Sequence, residues 1–107
     1  MDKKIALNLL MDFYGNLLTE RQQRTMEYYC GEDFSLSEIA EQEGISRQGV
    51  RDAIVRSEKT LYELEEKLGL AQRYMDTVAS LNRVLKLTDD AAVRAGILDT
   101  LAIWDGE

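Results

Sequence analysis

Apolar residues recur along this chain with the step of a helix rather than the alternation of a strand. Ile5, Leu9, Leu10, Phe13, Tyr14 and Leu17 mark one face and predict a first helix over about residues 2–16. Leu7 and Met11 widen that stripe, so the helix is expected to be buried on more than one side. A second helix runs from Thr19 to about Cys30, and Gly31-Glu32-Asp33 ends it. A short third helix carries Leu36, Ile39 and Ala40 inward. From Arg47, Val50, Ile54, Ser57, Leu61, Leu64 and Leu68 step by four and three, a seam with a period near 3.5. Gly69 marks the end or a kink of that long helix. A fifth helix over about 71–86 aligns Tyr74, Val78, Leu81 and Leu85, and a sixth aligns Val93, Ile97, Leu101 and Trp104.

The helix boundaries are signposted. Thr19 with Gln22, and Ser35 with Glu38, have the spacing of capping boxes, in which each side chain bonds the other residue's backbone N–H. Ser46 stands where a cap worth ~0.5–2 kcal/mol would open the fourth helix. Gly44 stands where the backbone must turn left-handed. Thr88-Asp89-Asp90 places a cap and acidic charge at the positive end of the last helix. The tail Asp105-Gly106-Glu107 is expected to fray. The fold class is therefore all-α. It is expected as one domain over 1–107, with a helix-turn-helix core at 19–67, a helix before it and a helical extension over 68–107.

Two helices joined by a tight glycine turn form the reading unit of many DNA-binding regulators. Leu36, Ile39, Ala40, Ile45, Val50 and Ile54 would lock the two helices together, and Ala40 would permit their close crossing. The stretches Leu18-Thr19-Glu20-Arg21-Gln22, Ser35-Leu36-Ser37-Glu38-Ile39-Ala40 and Gly44-Ile45-Ser46-Arg47-Gln48-Gly49-Val50-Arg51 are similar to region four of bacterial housekeeping sigma factors. That similarity covers about residues 18–60. The whole chain resembles the YlxM-like family, small bacterial proteins typically encoded beside the signal-recognition-particle GTPase. The resemblance implies a helix-turn-helix fold and a regulatory link to the signal recognition particle pathway, without an established activity. One departure from the sigma factors is that the reading helix continues through Glu63-Leu64-Glu65-Glu66-Lys67 and two more helices follow.

Charge decides where such a unit could meet nucleic acid. The chain carries 13 basic and 20 acidic residues, a net charge of −7, which is the wrong sign for a protein that coats phosphates. Yet between Ser46 and Thr60 the basic Arg47, Arg51, Arg56 and Lys59 outnumber the acidic Asp52 and Glu58. Arg47, Gln48 and Arg51 are the candidates for base-edge contact and Arg56 and Lys59 for phosphate contact, with the cap Ser46 counted among the nucleic-acid-binding residues. The plainer alternative makes them solvated charges on an exposed face. A different class of function is an adaptor whose acidic surface docks a basic partner, the particle's GTPase being the one the resemblance suggests. The Val50–Leu68 seam, with the helix after it, could join two copies as a homodimer, or the seam could pack against the chain's own first and last helices.

Catalytic and metal chemistry find little purchase. There is no histidine and one cysteine, Cys30, in an apolar run that predicts a buried thiol. No nucleophile–base constellation, Gly-rich phosphate loop or calcium-binding spacing occurs, and Glu63, Glu65, Glu66, Asp89 and Asp90 read as solvated charges. A non-enzymatic protein with no cofactor or small-molecule substrate is expected. The start of the chain lacks a signal peptide's pattern, and its apolar run is too short for a membrane span, so a cytoplasmic location is expected.

Overall fold

A computed structural model describes residues 2–105, the side chain of Asp105 excepted; Gly106 and Glu107, part of the tail expected to fray, lie outside the described residues. Six α-helices account for almost all of it, with no strand among the described residues: α1 (Lys3–Tyr14), α2 (Glu20–Met26), α3 (Leu36–Glu43), α4 (Arg47–Leu68), α5 (Leu70–Leu87) and α6 (Ala91–Ala102). Short 3₁₀ turns follow α1 and α6. The chain divides into two compact units, 1–71 and 72–107, with the boundary inside α5.

Local chemistry explains the helix ends of the first unit. Both capping boxes form, Thr19 with Gln22 and Ser35 with Glu38. Ser46 Oγ accepts the Gly49 N–H at 3.0 Å and opens α4. Gly44, at φ +67°, closes α3, and the Ile45 N–H reaches back to the Ala40 carbonyl at 3.1 Å. Only three residues, Gly44 to Ser46, separate the two helices, which makes the turn tight. Gly69, at φ +64°, ends α4 as abruptly, and α5 begins at the next residue.

Two elements depart from the expected pattern. The second helix is α-helical only to Met26; Glu27–Gly31 form a π turn closed by Glu32 N–H to the Glu27 carbonyl at 2.9 Å. The wider turn puts Tyr28 flat against Phe34, ring centroids 5.2 Å apart, and leaves Asp33 at φ +57°, a region Asp tolerates. The first helix buries only part of its expected face, with Leu9 and Phe13 half-buried against the core. Leu7, Leu10 and Tyr14 are buried, while Ile5 and Leu17, expected inward, are exposed.

The core of the first unit is centred on α4, which packs against α1, α2 and α3. Leu7, Met26, Ile39, Val50 and Leu61 are fully buried there, each worth ~1.5–3 kcal/mol over exposure. Ser57 sits in this core with its hydroxyl bonded to the Ala53 carbonyl at 2.7 Å. Of the seam, Val50, Ile54, Ser57 and Leu61 are buried within the chain, Leu64 is half-buried and Leu68 is exposed. The seam is therefore spent on intramolecular packing over most of its length, and a partner copy cannot use it there. Cys30 is buried and free, and burial raises its thiol pKa.

The second unit is a hairpin of α6 on the later turns of α5. Asp90 caps α6 through the Ala92 and Val93 N–H groups. Arg94 holds the turn by donating to the Leu85 carbonyl at 2.6 Å, and Tyr74 meets Trp104 edge-on at 6.0 Å. Ile97 is buried, whereas Val93 and Trp104, expected in line with it, are largely exposed. No described helix is long and apolar enough to cross a membrane.

Candidate nucleic-acid interface

The opening of α4 carries the candidate residues, and their positions follow from the helix they stand on. Val50, Ile54, Ser57 and Leu61 point one side of α4 into the core, which leaves Ser46, Arg47, Gln48, Arg51, Arg56 and Lys59 all exposed. At ~100° per residue, Arg47 and Arg51 share one flank, Gln48 and Lys59 point outward, and Arg56 lies on the far flank. The six are thus not one cluster. Ser46, Arg47, Gln48 and Arg51 crowd the first turns, while Arg56 and Lys59 stand two to three turns further along. A helix lying in a groove meets a wall on each side, so cations on both flanks suit contact with two phosphate backbones. Ser46 is committed to its cap and keeps only its remaining hydrogen-bonding capacity for a ligand.

Around these cations the surface is open and unobstructed. Arg47, Gln48 and Arg51 line, with Leu36 of α3, a shallow depression of about 240 Å³. Arg51 also borders a second one of about 170 Å³, shared with Lys3, Tyr29, Leu36, Ile54, Val55 and Glu58. None of Arg47, Arg51, Arg56 and Lys59 forms an ion pair with a described carboxylate. Their charge is directed at solvent.

Both acidic residues of this segment are occupied. Glu58 pairs with Lys3 of α1 at 3.3 Å, and its side chain is only 17% exposed. Asp52 accepts from Gln48 Nε2 at 2.9 Å. The carboxylates that would repel phosphate are therefore partly answered by the protein's own donors. Sequence reasoning missed Lys3 and Tyr29 as neighbours of Arg51, because their approach depends on how α1 and the π turn pack on α4. The hydrophobic face of α1 carried a signal, but no spacing in the chain links residue 3 to residue 58. Nearby, Lys4 bonds Asp33, which raises its pKa, and lies 4.6 Å from the Tyr29 ring.

The opposite charge gathers elsewhere. Asp12, Glu27 and Glu32, with Asn8, Gln23, Met11, Met26 and Cys30, line an open depression of about 350 Å³ between α1, α2 and the π turn. No group of three or more potential metal-ligating side chains occurs among the described residues.

A short capped helix, a left-handed glycine turn and a longer helix offering bare cations at its start define a helix-turn-helix protein. Residues 1–101 match the family described as UPF0122, "Putative helix-turn-helix protein, YlxM / p13 like", and the chain belongs to that family. Among its relatives is a UPF0122 protein of Desulforamulus reducens, 53% identical over 83 residues that cover 78% of this chain and 71% of the relative. Another, from Acetivibrio thermocellus, is 47% identical over 90 residues, covering 84% and 74%. A third, from Halalkalibacterium halodurans, is 40% identical over 105 residues, covering 98% and 96%. The last similarity takes in both structural units.

Proposed function

We propose that this protein is a regulator that binds nucleic acid, DNA or structured RNA, through the exposed opening of α4, and that it does so in the cytoplasm without catalysing a reaction. The observation that carries the reading is the pairing pattern. Arg47, Arg51, Arg56 and Lys59 face solvent without a carboxylate partner, while Glu58 is paired with Lys3 and Asp52 with Gln48. Arg47, Gln48 and Arg51 address base edges, with Ser46 beside them; Arg56 and Lys59 hold phosphates. The resemblance to YlxM-like proteins directs the choice of ligand and pathway towards the signal recognition particle.

Titration of duplex DNA and of the particle's RNA, each at two salt concentrations, tests this. Arg47→Ala combined with Arg51→Ala is expected to weaken binding about tenfold or more, since a bidentate arginine contact is worth ~1–3 kcal/mol. Unchanged binding by the double variant would remove these residues from the interface.

A second reading is supported by the depression bordered by Asp12, Glu27 and Glu32, whose charge suits a basic partner protein. In this reading the protein is an adaptor for the particle's GTPase. Capture of that GTPase after RNase treatment, abolished by Asp12→Lys with Glu27→Lys, is its expected outcome. Loss of capture on RNase treatment alone returns the interaction to nucleic acid.

A further inference from the structure

The second unit buries little apolar surface of its own. Among the described residues from Gln72 onward, Ile97 is the one buried side chain. Segments below ~40 residues usually need a disulfide, a metal or association to hold a fold. This one has no cysteine, since Cys30 is in the first unit, and no metal-ligating cluster among its described residues. Meanwhile the unit exposes Val84, Leu87, Val93, Leu98 and Ile103, with Leu87 83% and Ile103 73% accessible.

The character of α6 says what kind of partner fits. Its twelve residues hold one cation and one anion, Arg94 and Asp99, and eight of the rest are Ala, Val, Ile or Leu. These are spread round the helix: Ile97 and Leu101 turn inward, Ala91, Ala95, Leu98 and Ala102 follow one outer flank, and Val93 stands on the other. A helix whose apolar residues extend beyond one face is one that buries more than one side in its working state. It is also an electrically balanced strip on a molecule of net charge −7, so it is where two such molecules approach with least repulsion. Around it Arg83, Lys86 and Arg94 offset Asp89, Asp90 and Asp99, so the surface offers a strongly basic partner no net acidic charge.

We propose that the protein is a homodimer joined through α6 and the end of α5, the two hairpins forming a four-helix bundle. Every copy carries the same uncovered surface, and a twofold interface sets each patch against its own copy. The exposed parts of the five large side chains come to roughly 500 Å². Bundles of two hairpins bury helices in this way. The inference does not rest on the nucleic-acid reading, but a dimer would offer two copies of the α4 opening to paired half-sites.

Sedimentation equilibrium of the full chain at micromolar concentrations, without nucleic acid, tests it. The expected mass is that of two chains. Val93→Glu with Leu98→Glu, which charges both flanks of α6 and touches no buried position, is expected to give a monomer with the first unit's helical signal retained. If that variant loses helicity, Ala95→Arg serves instead, because a long side chain fits an exposed helix but not a close helix pair. A monomeric natural protein, or a dimer that survives these substitutions, overturns the proposal.

Discussion

Single residues do the work of joining segments that lie far apart in the chain. Tyr14 is the plainest case. Its hydroxyl donates to Glu65 Oε1 at 2.6 Å and accepts the Leu70 N–H at 3.1 Å, while Glu65 Oε1 also accepts the Ala71 N–H at 3.0 Å. Two N–H groups that open α5 are thus satisfied by side chains from α1 and α4, since Gly69 supplies no cap. Burial, and then the bond to Glu65, raise the Tyr14 pKa. The neutral phenol is the form the fold prefers, so its stabilisation is complete below the ordinary tyrosine pKa. It is lost as pH climbs through the raised value. Tyr14→Phe is expected to melt at lower temperature at neutral pH and to show less alkaline loss of stability, both read by circular dichroism. Lys3 acts in the same long-range manner on Glu58. Lys3→Ala should leave the melting temperature nearly unchanged, because exposed pairs are worth ~0–1 kcal/mol. It should nonetheless weaken nucleic-acid binding several-fold by freeing a carboxylate beside Arg51. Equal affinity for natural protein and variant would show that Glu58 does not face the ligand.

At the scale of the helices, the ends are set by neighbours in sequence, and this is where the chain was most legible. Thr19, Ser35, Gly44 and Ser46 all act where their spacing indicated, because a cap needs only the three or four residues on its helix side. Gly44→Ala forces a side chain into a left-handed backbone at φ +67° and is expected to cost ~1–2 kcal/mol in a denaturant titration. Glu38 completes the Ser35 box, and its bond to the Ser35 backbone N–H lowers its pKa. That contribution is present above the ordinary glutamate pKa and disappears as pH falls through the lowered one. Natural protein should therefore be more stable than Glu38→Gln at neutral pH, with the difference vanishing in acid. The π turn at 27–31 was not legible. Its extra residue per turn is selected by the stacking of Tyr28 on Phe34 and by the burial of Met26 and Cys30, contacts that no local propensity encodes. The burial of Leu7 and exposure of Ile5 on α1 have the same origin: a wide apolar stripe permits several faces, and the partner helices choose among them.

For the whole molecule, acidity governs how it meets a polyanion. With a net charge of −7, the proposed affinity for nucleic acid has to come from the few cations of α4. If Arg47, Arg51, Arg56 and Lys59 each displace a counterion, the log–log slope of affinity against salt is expected near −3 to −4 for duplex DNA and to shrink by about two in the Arg47/Arg51 double variant. A slope near zero would point to the adaptor reading.

By itself the sequence determined what depends on short range and on composition: an all-α chain, helix ends placed by caps and glycines, a two-helix turn at Gly44, and cations gathered at the opening of the fourth helix. Hydrogen bonds within one turn and the periodicity of apolar residues are local, so they can be read along the chain. Only the tertiary structure decided which face each helix buries, that Lys3 neutralises Glu58, that Tyr14 and Glu65 cap α5, and that α6 keeps its apolar surface exposed. Those outcomes depend on which segments meet across tens of residues, and packing settles that for the core as a whole.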